Sequence, residues 1–218
     1  MIVTIDGPAG SGKSTAARLL AKRLGFYFLD TGAMYRVVAL RCIERGIDLD
    51  NAAEVAEAAR AVEIAFDADR ALADGIDVSD AIRTPQVTQA SSMVAVNPDV
   101  RAILVERQRE IARGIDLVTE GRDQGSVVFP NAECKLYLTA SADERARRRQ
   151  QELQEQGLDM PLEEMLIQIR ERDDRDANRD AAPLKPADDA IIVDTTGMTT
   201  DEVLATLVNL VHAARKSL

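Results

Sequence analysis

Residues 7–14 read GPAGSGKS, between the short apolar run MIVTID (1–6) and the helically spaced GKSTAARLLAKRLG (12–25). The octet fits G-x-x-x-x-G-K-[ST] in the context that gives that pattern meaning, after a strand and opening a helix. Glycines let successive backbone N–H groups turn inward, and at a helix N-terminus those groups and the helix dipole form a nest for an anion. Gly7, Pro8, Ala9, Gly10, Ser11 and Gly12 therefore form a candidate phosphate cradle. Lys13, expected as an exposed loop lysine with little part in packing, would reach the β- and γ-phosphates. Ser14 would place its hydroxyl on Mg²⁺, and Thr15 would cap the helix or touch the α-phosphate. The ligand expected here is ATP.

The rest of the chain alternates between two periodicities. FYFLD (26–30) reads as a second strand, TGAMYRVVALRCIERG (31–46) as a helix capped by Asp30 or Thr31, and NAAEVAEAAR (51–60) as another helix. Gly25 suits the C-terminus of the first helix. EIAFDADRALADGIDV and the serine after it (63–79) hold short β-like pieces broken by DAD and DG, which predicts a small hairpin. Residues 84–114 resume helical spacing, with Pro98 expected to start a new helix. DLVTEG (116–121), CKLYLT (134–139) and AIIVD (190–194) are near-continuous apolar runs, the signature of strands buried on both faces. Strands alternating with helices predict an α/β fold: an open, doubly wound sheet of about five parallel strands with helices on both faces. The ligand would lie at the carboxyl ends of the strands. Segments 63–100 and 150–180 read as insertions into one core.

Composition narrows the partners. With 27 basic and 37 acidic residues the formal net charge is −10, which argues against a nucleic-acid binder or a partner of anionic membrane. Any polyanion must then be held in a local pocket. Cys42 and Cys134 stand far apart in apolar surroundings, with no histidine cluster near them, and read as small buried thiols in a reduced compartment. No basic segment followed by an apolar core and a cleavage site opens the chain, and no apolar run reaches membrane-spanning length. A soluble cytoplasmic protein is expected.

Arginines clustered around turn residues bear on the chemistry: MYR (34–36), EGRD (120–123) and RERDDRDANR (170–179). In an acidic chain they suit phosphate oxygens, which guanidinium binds in fork geometry, and charge developing on a transferred phosphoryl group. No N-K-x-D run for guanine recognition accompanies the loop, and DTTG (194–197) reads as a turn. The residues themselves leave three readings open. One is phosphoryl transfer to an acceptor that is itself a phosphate. Another is a kinase for a hydroxyl acceptor with Asp123 or Asp30 as base, and the third is a nucleotide-binding switch without transfer chemistry. His212, the single histidine, reads as a packing or surface residue of the last helix.

DGPAGSGKST, LDTGAMYR, IRTPQVTQASSMVAVNPDVR, EGRDQGSVVFP and RERDDRDANRDAAPL occur in order and nearly end to end. In this set the chain resembles the bacterial cytidylate kinases, within the nucleoside monophosphate kinase group of P-loop proteins. The resemblance implies a single P-loop kinase domain over 1–218, a monophosphate-binding insertion near 63–100 and a lid near 150–180. It implies ATP-dependent phosphorylation of CMP and dCMP in pyrimidine nucleotide metabolism, with Mg²⁺ as cofactor and a monomeric chain. By motif position it puts phosphate-binding arginines at Arg36, Arg122 and Arg179, base contacts at Ser92, Arg101 and Asp123, and ribose contacts at Arg172 and Asp176. Tyr35 would line the acceptor pocket. Lys13 and the arginines Arg36, Arg122, Arg172 and Arg179 would carry the transfer. A phosphate acceptor with a second pKa near 6 is already largely dianionic at pH 7, so no dedicated base is expected.

Overall fold

A computed structural model describes residues 1–67, 70–155, 157–177 and 184–216, the side chains at 172 and 175–177 excepted. The chain divides into two compact units, residues 1–29 with 114–218 and residues 30–113.

The first unit is built on a five-stranded sheet in the order β2-β6-β1-β7-β8. Its strands are β1 (Ile2–Asp6), β2 (Tyr27–Asp30), β6 (Leu117–Gly121), β7 (Cys134–Thr139) and β8 (Ile191–Asp194). β1 pairs in parallel with β6 and β7, and β7 with β8. The register sets Asp6 level with Gly121 and with Tyr137, so the carboxyl ends of the three central strands form one edge. Helix α1 (Lys13–Leu24) starts after Gly12 and stops at Gly25, both left-handed, and the Gly25 N–H returns to the Ala21 carbonyl. Its apolar face, Ala17 and Leu20, joins Val3, Ile5, Leu136 and Leu138 of the sheet and Leu207 and Val211 of α8 (Thr200–Lys216) in one core. Burying each such leucine or isoleucine contributes about 1.5–3 kcal/mol. Cys134 lies in this core, and burial pushes its thiol up to about 11.

One strand departs from the expectation of burial on both faces. Ile191 and Ile192 of β8 are exposed, Ile192 by 61%, and only Val193 enters the core. β8 stands at the edge of the sheet with β7 as its single neighbour, so an apolar run there is not a sign of two covered faces. Beyond the sheet, α6 (Ala142–Glu155) and α7 (Leu162–Ala177) share a small cluster of Ala146, Leu153, Met165 and Ile169.

The second unit is mostly helical: α2 (Thr31–Glu44), α3 (Ala52–Ala61), α4 (Pro85–Val94) and α5 (Pro98–Ile111). Asp30, not Thr31, caps α2, its carboxylate accepting the Ala33 N–H at 2.9 Å. Pro98 opens α5 as expected, and the Asn97 side chain accepts the Asp99 and Val100 N–H groups while donating to the Ala52 carbonyl at the start of α3. In place of a single hairpin, 64–77 forms three antiparallel strands, β3 (Ile64–Asp67), β4 (Arg70–Ala73) and β5 (Ile76–Asp77). The DG turn joins β4 to β5 with both residues left-handed, φ 53° at Asp74 and 77° at Gly75, as a tight hairpin turn needs. Cys42 is buried in α2.

Candidate active site

The loop after β1 has the geometry of an anion nest. Gly7 sits at φ 148°, and a Cβ there would stand 2.0 Å from the Leu138 carbonyl oxygen, so no side chain fits. Gly12, at φ 83°, begins α1 with no side-chain cap and no acidic residue in the first turn. With a glycine as the cap residue and no acidic side chain in the first turn, the helix dipole there favours an anion. Lys13 is 5% exposed, and its Nζ donates to the Pro8 carbonyl at 2.8 Å. The expectation of an exposed loop lysine is corrected: Lys13 is the buried first residue of α1, and its ammonium turns back to the loop at Pro8. Thr15, in the first turn of α1, is exposed.

Ser14 faces the neighbouring strand. Its Oγ donates to Glu120 Oε1 at 2.9 Å, and Glu120 is buried at the end of β6. A hydroxyl and a carboxylate oxygen side by side are hard donors that suit Mg²⁺, which is usually held by one or two side chains together with phosphates. Among the described residues there is no group of three or more His, Cys, Asp or Glu side chains able to hold a metal ion. Glu120 is absent from the sequence-predicted site because it reads there only as part of an arginine cluster. Its position as the last acidic residue of the strand beside β1 is the signal that finds it.

Arg122 and Asp123 follow directly. Arg122 is half-buried and its Nη1 donates to the Gly121 carbonyl at 3.3 Å. Asp123 is buried, and its carbonyl accepts the Val127 and Val128 N–H groups of the wide turn Gln124–Val128, while its carboxylate does not cap that turn. Asp6 ends β1 beneath them, accepting the Gln124 N–H and the Gly125 N–H, each at 2.8 Å. Burial pushes the Asp6 carboxyl up to about 6 against the pull of these two donors; Asp123 nearby adds to the rise and Lys13 opposes it. Burial also raises the Tyr137 phenol, on which the charges of Arg122, Asp6, Asp173 and Arg145 all act.

Sequence reading missed three further residues around the loop. Arg145 of α6 is buried and donates through Nε to the Ala140 carbonyl at 3.0 Å and through Nη1 to the Ala9 carbonyl at 3.1 Å. Arg148, one turn on, donates to Thr195 at Oγ1 and at its carbonyl. Thr195 belongs to the DTTG turn and is fully buried, its Oγ1 3.5 Å from the Ser11 carbonyl and 3.1 Å from that of Thr139. The turn reading holds, and the turn also braces the phosphate loop. Local sequence offers no sign of this, since Ser11 and Thr195 are 184 positions apart.

In the second unit Tyr35 and Arg36 are half-buried on the first turns of α2. Ser92 of α4 is half-buried, with its Oγ 3.5 Å from the Thr88 carbonyl; Arg101 of α5 is buried, its Nη1 3.4 Å from the Ala95 carbonyl. Asp30 is occupied as the cap of α2, which weighs against it as a base. Arg172 and Asp176 lie on α7, but their side chains fall outside the described residues, as does Arg179 altogether. Exposed on α8, His212 is a surface residue. No described helix is long and apolar enough to cross a membrane.

An α/β sheet with a glycine-bent, uncapped helix start at its carboxyl edge, a lysine inside the loop and a Ser–Glu oxygen pair beside it defines a P-loop nucleotide-binding protein. The sequence profile of cytidylate kinase matches residues 3–213. A cytidylate kinase of Aeromonas salmonicida (strain A449) is 49% identical over 210 residues, covering 94% of this chain and 91% of that protein. One from Vibrio cholerae serotype O1 is 49% identical over 207 residues, covering 93% and 92%. A crystal structure of an uncharacterized protein from Eubacterium ventriosum shares the fold, with a TM-score of 0.56 at 10% identity over 97% of this chain and 98% of that one. The chain belongs to the cytidylate kinase family and is a phosphotransferase.

Proposed function

We infer that this chain, as a member of the cytidylate kinase family, phosphorylates CMP and dCMP from ATP, and that its residues divide the task as follows. The amides of Gly7–Thr15 and the Lys13 ammonium hold the ATP phosphates. Ser14 and Glu120 hold Mg²⁺, which when bound supplies further positive charge to the phosphates. Arg36, Arg122, Arg172 and Arg179 screen the repulsion between two phosphate groups about to react. Arg172 and Asp176 also contact ribose, and Tyr35 lines the acceptor pocket. Since the acceptor phosphate is already dianionic, no side chain need remove a proton. The protein is read as one kinase domain with an insertion near 63–100 and a lid near 150–180 that excludes water, the competing acceptor. The chain is read as a monomer in the cytoplasm, a setting that two buried free thiols suit.

The observation that carries this reading is the uncapped start of α1 with Ser14 hydrogen-bonded to Glu120, a site for a phosphate chain and a hard cation together. The acceptor is read by base edge. Cytosine presents an amino donor beside an unprotonated ring nitrogen, and uracil presents the reverse. Asp123 accepts from the amino group; Arg101, with Ser92, donates to the ring nitrogen and carbonyl. With uracil the carboxylate meets a carbonyl oxygen, at a cost of about 1–3 kcal/mol per mispaired contact. The test is ADP release with each nucleoside monophosphate, followed by kcat/KM for CMP and UMP in wild type and Asp123→Ala. A strong CMP preference that collapses in the variant is expected. Equal use of CMP and UMP by wild type would remove Asp123 as base reader.

A further inference from the structure

Asp6 is a carboxylate only 4% exposed at the end of β1, beside the phosphate loop but outside the groups that hold the two nucleotides. We propose that Asp6 is a positioning residue for base recognition: its two oxygens clamp the backbone of the turn that carries Arg122 and Asp123. The proposal rests on the reading of Asp123 as base reader. Oδ1 accepts the N–H of Gln124 and Oδ2 that of Gly125, each at 2.8 Å, so one carboxylate holds two consecutive peptide units. The Gln124 side chain is held as well, its Oε1 accepting from Thr119 Oγ1 at 3.0 Å. Gly125 is pressed against the same strand, since a Cβ there would lie 2.8 Å from Thr4 Oγ1. Asp123 is thus followed by a residue fixed through main chain and side chain and then by one with no room to move.

Chemistry explains why a carboxylate stands at this position. Two N–H groups side by side in a buried place are each met here by an oxygen of their own. An ionised carboxylate offers both, whereas asparagine offers one oxygen and would turn an NH₂ toward the second donor. A buried ionised group is costly, and an apolar residue would fill the space at lower cost if packing alone were required. Asp6 is also joined directly to Gly7, so the residue that ends at the acceptor-reading turn begins the ATP loop.

The test is Asp6→Asn, which preserves shape and removes one of the two acceptors. Wild-type kcat/KM for CMP and UMP is measured first. In Asp6→Asn we expect KM for CMP to rise by about tenfold, the factor equivalent to about 1.4 kcal/mol. The CMP to UMP ratio should fall by a similar factor, with KM for ATP little changed. An unchanged ratio, or a KM for ATP that rises as much as that for CMP, overturns the role of Asp6 and leaves the base reading standing. Equal use of CMP and UMP by wild type overturns both. Should Asp6→Asn fail to fold, hydrogen exchange on wild type decides. Gln124 and Gly125 amides as protected as those of β6 before CMP is added support the clamp, and protection that arises only with CMP overturns it.

Discussion

Arg145 of α6 holds Asp173 of α7 with Nη1 2.7 Å from Oδ2, while the same nitrogen donates to the Ala9 carbonyl in the phosphate loop. One guanidinium therefore joins the ATP loop to the helix assigned to the lid. The Arg145 side chain is 7% exposed and that of Asp173 is 25%, so the pair is largely shielded from solvent. Removing one partner of a shielded pair costs more than the pair itself contributes. Arg145→Ala should cost about 3 kcal/mol, because the Ala9 and Ala140 carbonyls lose a donor together with Asp173. Asp173→Ala should cost less, since Arg145 keeps both carbonyls. Urea melts of the two variants give the order, and a larger loss for Asp173→Ala contradicts it. Arg145→Ala should also raise KM for ATP.

Lys13→Ala should reduce kcat/KM for ATP by about 100-fold or more, since a charge facing the transferring group is removed. Its burial adds a consequence for stability. The Pro8 carbonyl loses its donor, at about 1–3 kcal/mol. Lys13→Met, which retains most of the stem, should be equally inactive and closer to wild type in a thermal melt. Unaltered kcat/KM in either variant would contradict the assignment of the loop.

Glu120→Gln tests the cation site. The amide keeps a hydrogen bond to Ser14 but loses the charge that a divalent cation needs, so the Mg²⁺ concentration for half-maximal rate should rise several-fold. Chelation with EDTA should stop transfer by wild type. The reading fails if the Mg²⁺ dependence of Glu120→Gln overlays that of wild type.

Asp6 gives stability an unusual pH dependence. Its carboxyl is raised from 3.8 to about 6 in the folded state, so between these values the folded chain binds more protons than the unfolded one. Stability contributed by Asp6 therefore increases as pH falls through that window, and is lowest above pH 6; the gap corresponds to about 3 kcal/mol. Asp77, Asp116, Asp189, Asp194 and Glu202 have lowered values and act in the opposite sense as pH falls. Comparison with Asp6→Asn isolates the one group. From pH 7 to pH 4.5 the stability difference should move in favour of wild type in denaturant melts. A difference independent of pH would show that Asp6 titrates normally.

Several element boundaries in both units were legible because their signals are local. Gly12 and Gly25 bound α1, Pro98 opens α5, and the DG turn closes the β4–β5 hairpin, each through backbone chemistry contained in a few residues. Where environment decides, local signals misled. Lys13 is buried with its ammonium on the Pro8 carbonyl, and Ile191 and Ile192 are exposed on β8, the edge strand with a single neighbour. An apolar run does not state its place in a sheet.

The order of residues by itself determined the α/β alternation, the phosphate loop and the family, since strand period, glycine freedom and motif spacing are written along the chain. Only the tertiary structure decided what stands around that loop. Parallel pairing of β1 with β6 brings Glu120 to Ser14 and Gln124 to Asp6, and packing of α6 brings Arg145 to Ala9. These contacts join residues more than a hundred positions apart, and a carboxylate or guanidinium shows its role only when its partner is known. Burial then settles its charge, as at Asp6, and no stretch of sequence carries that quantity.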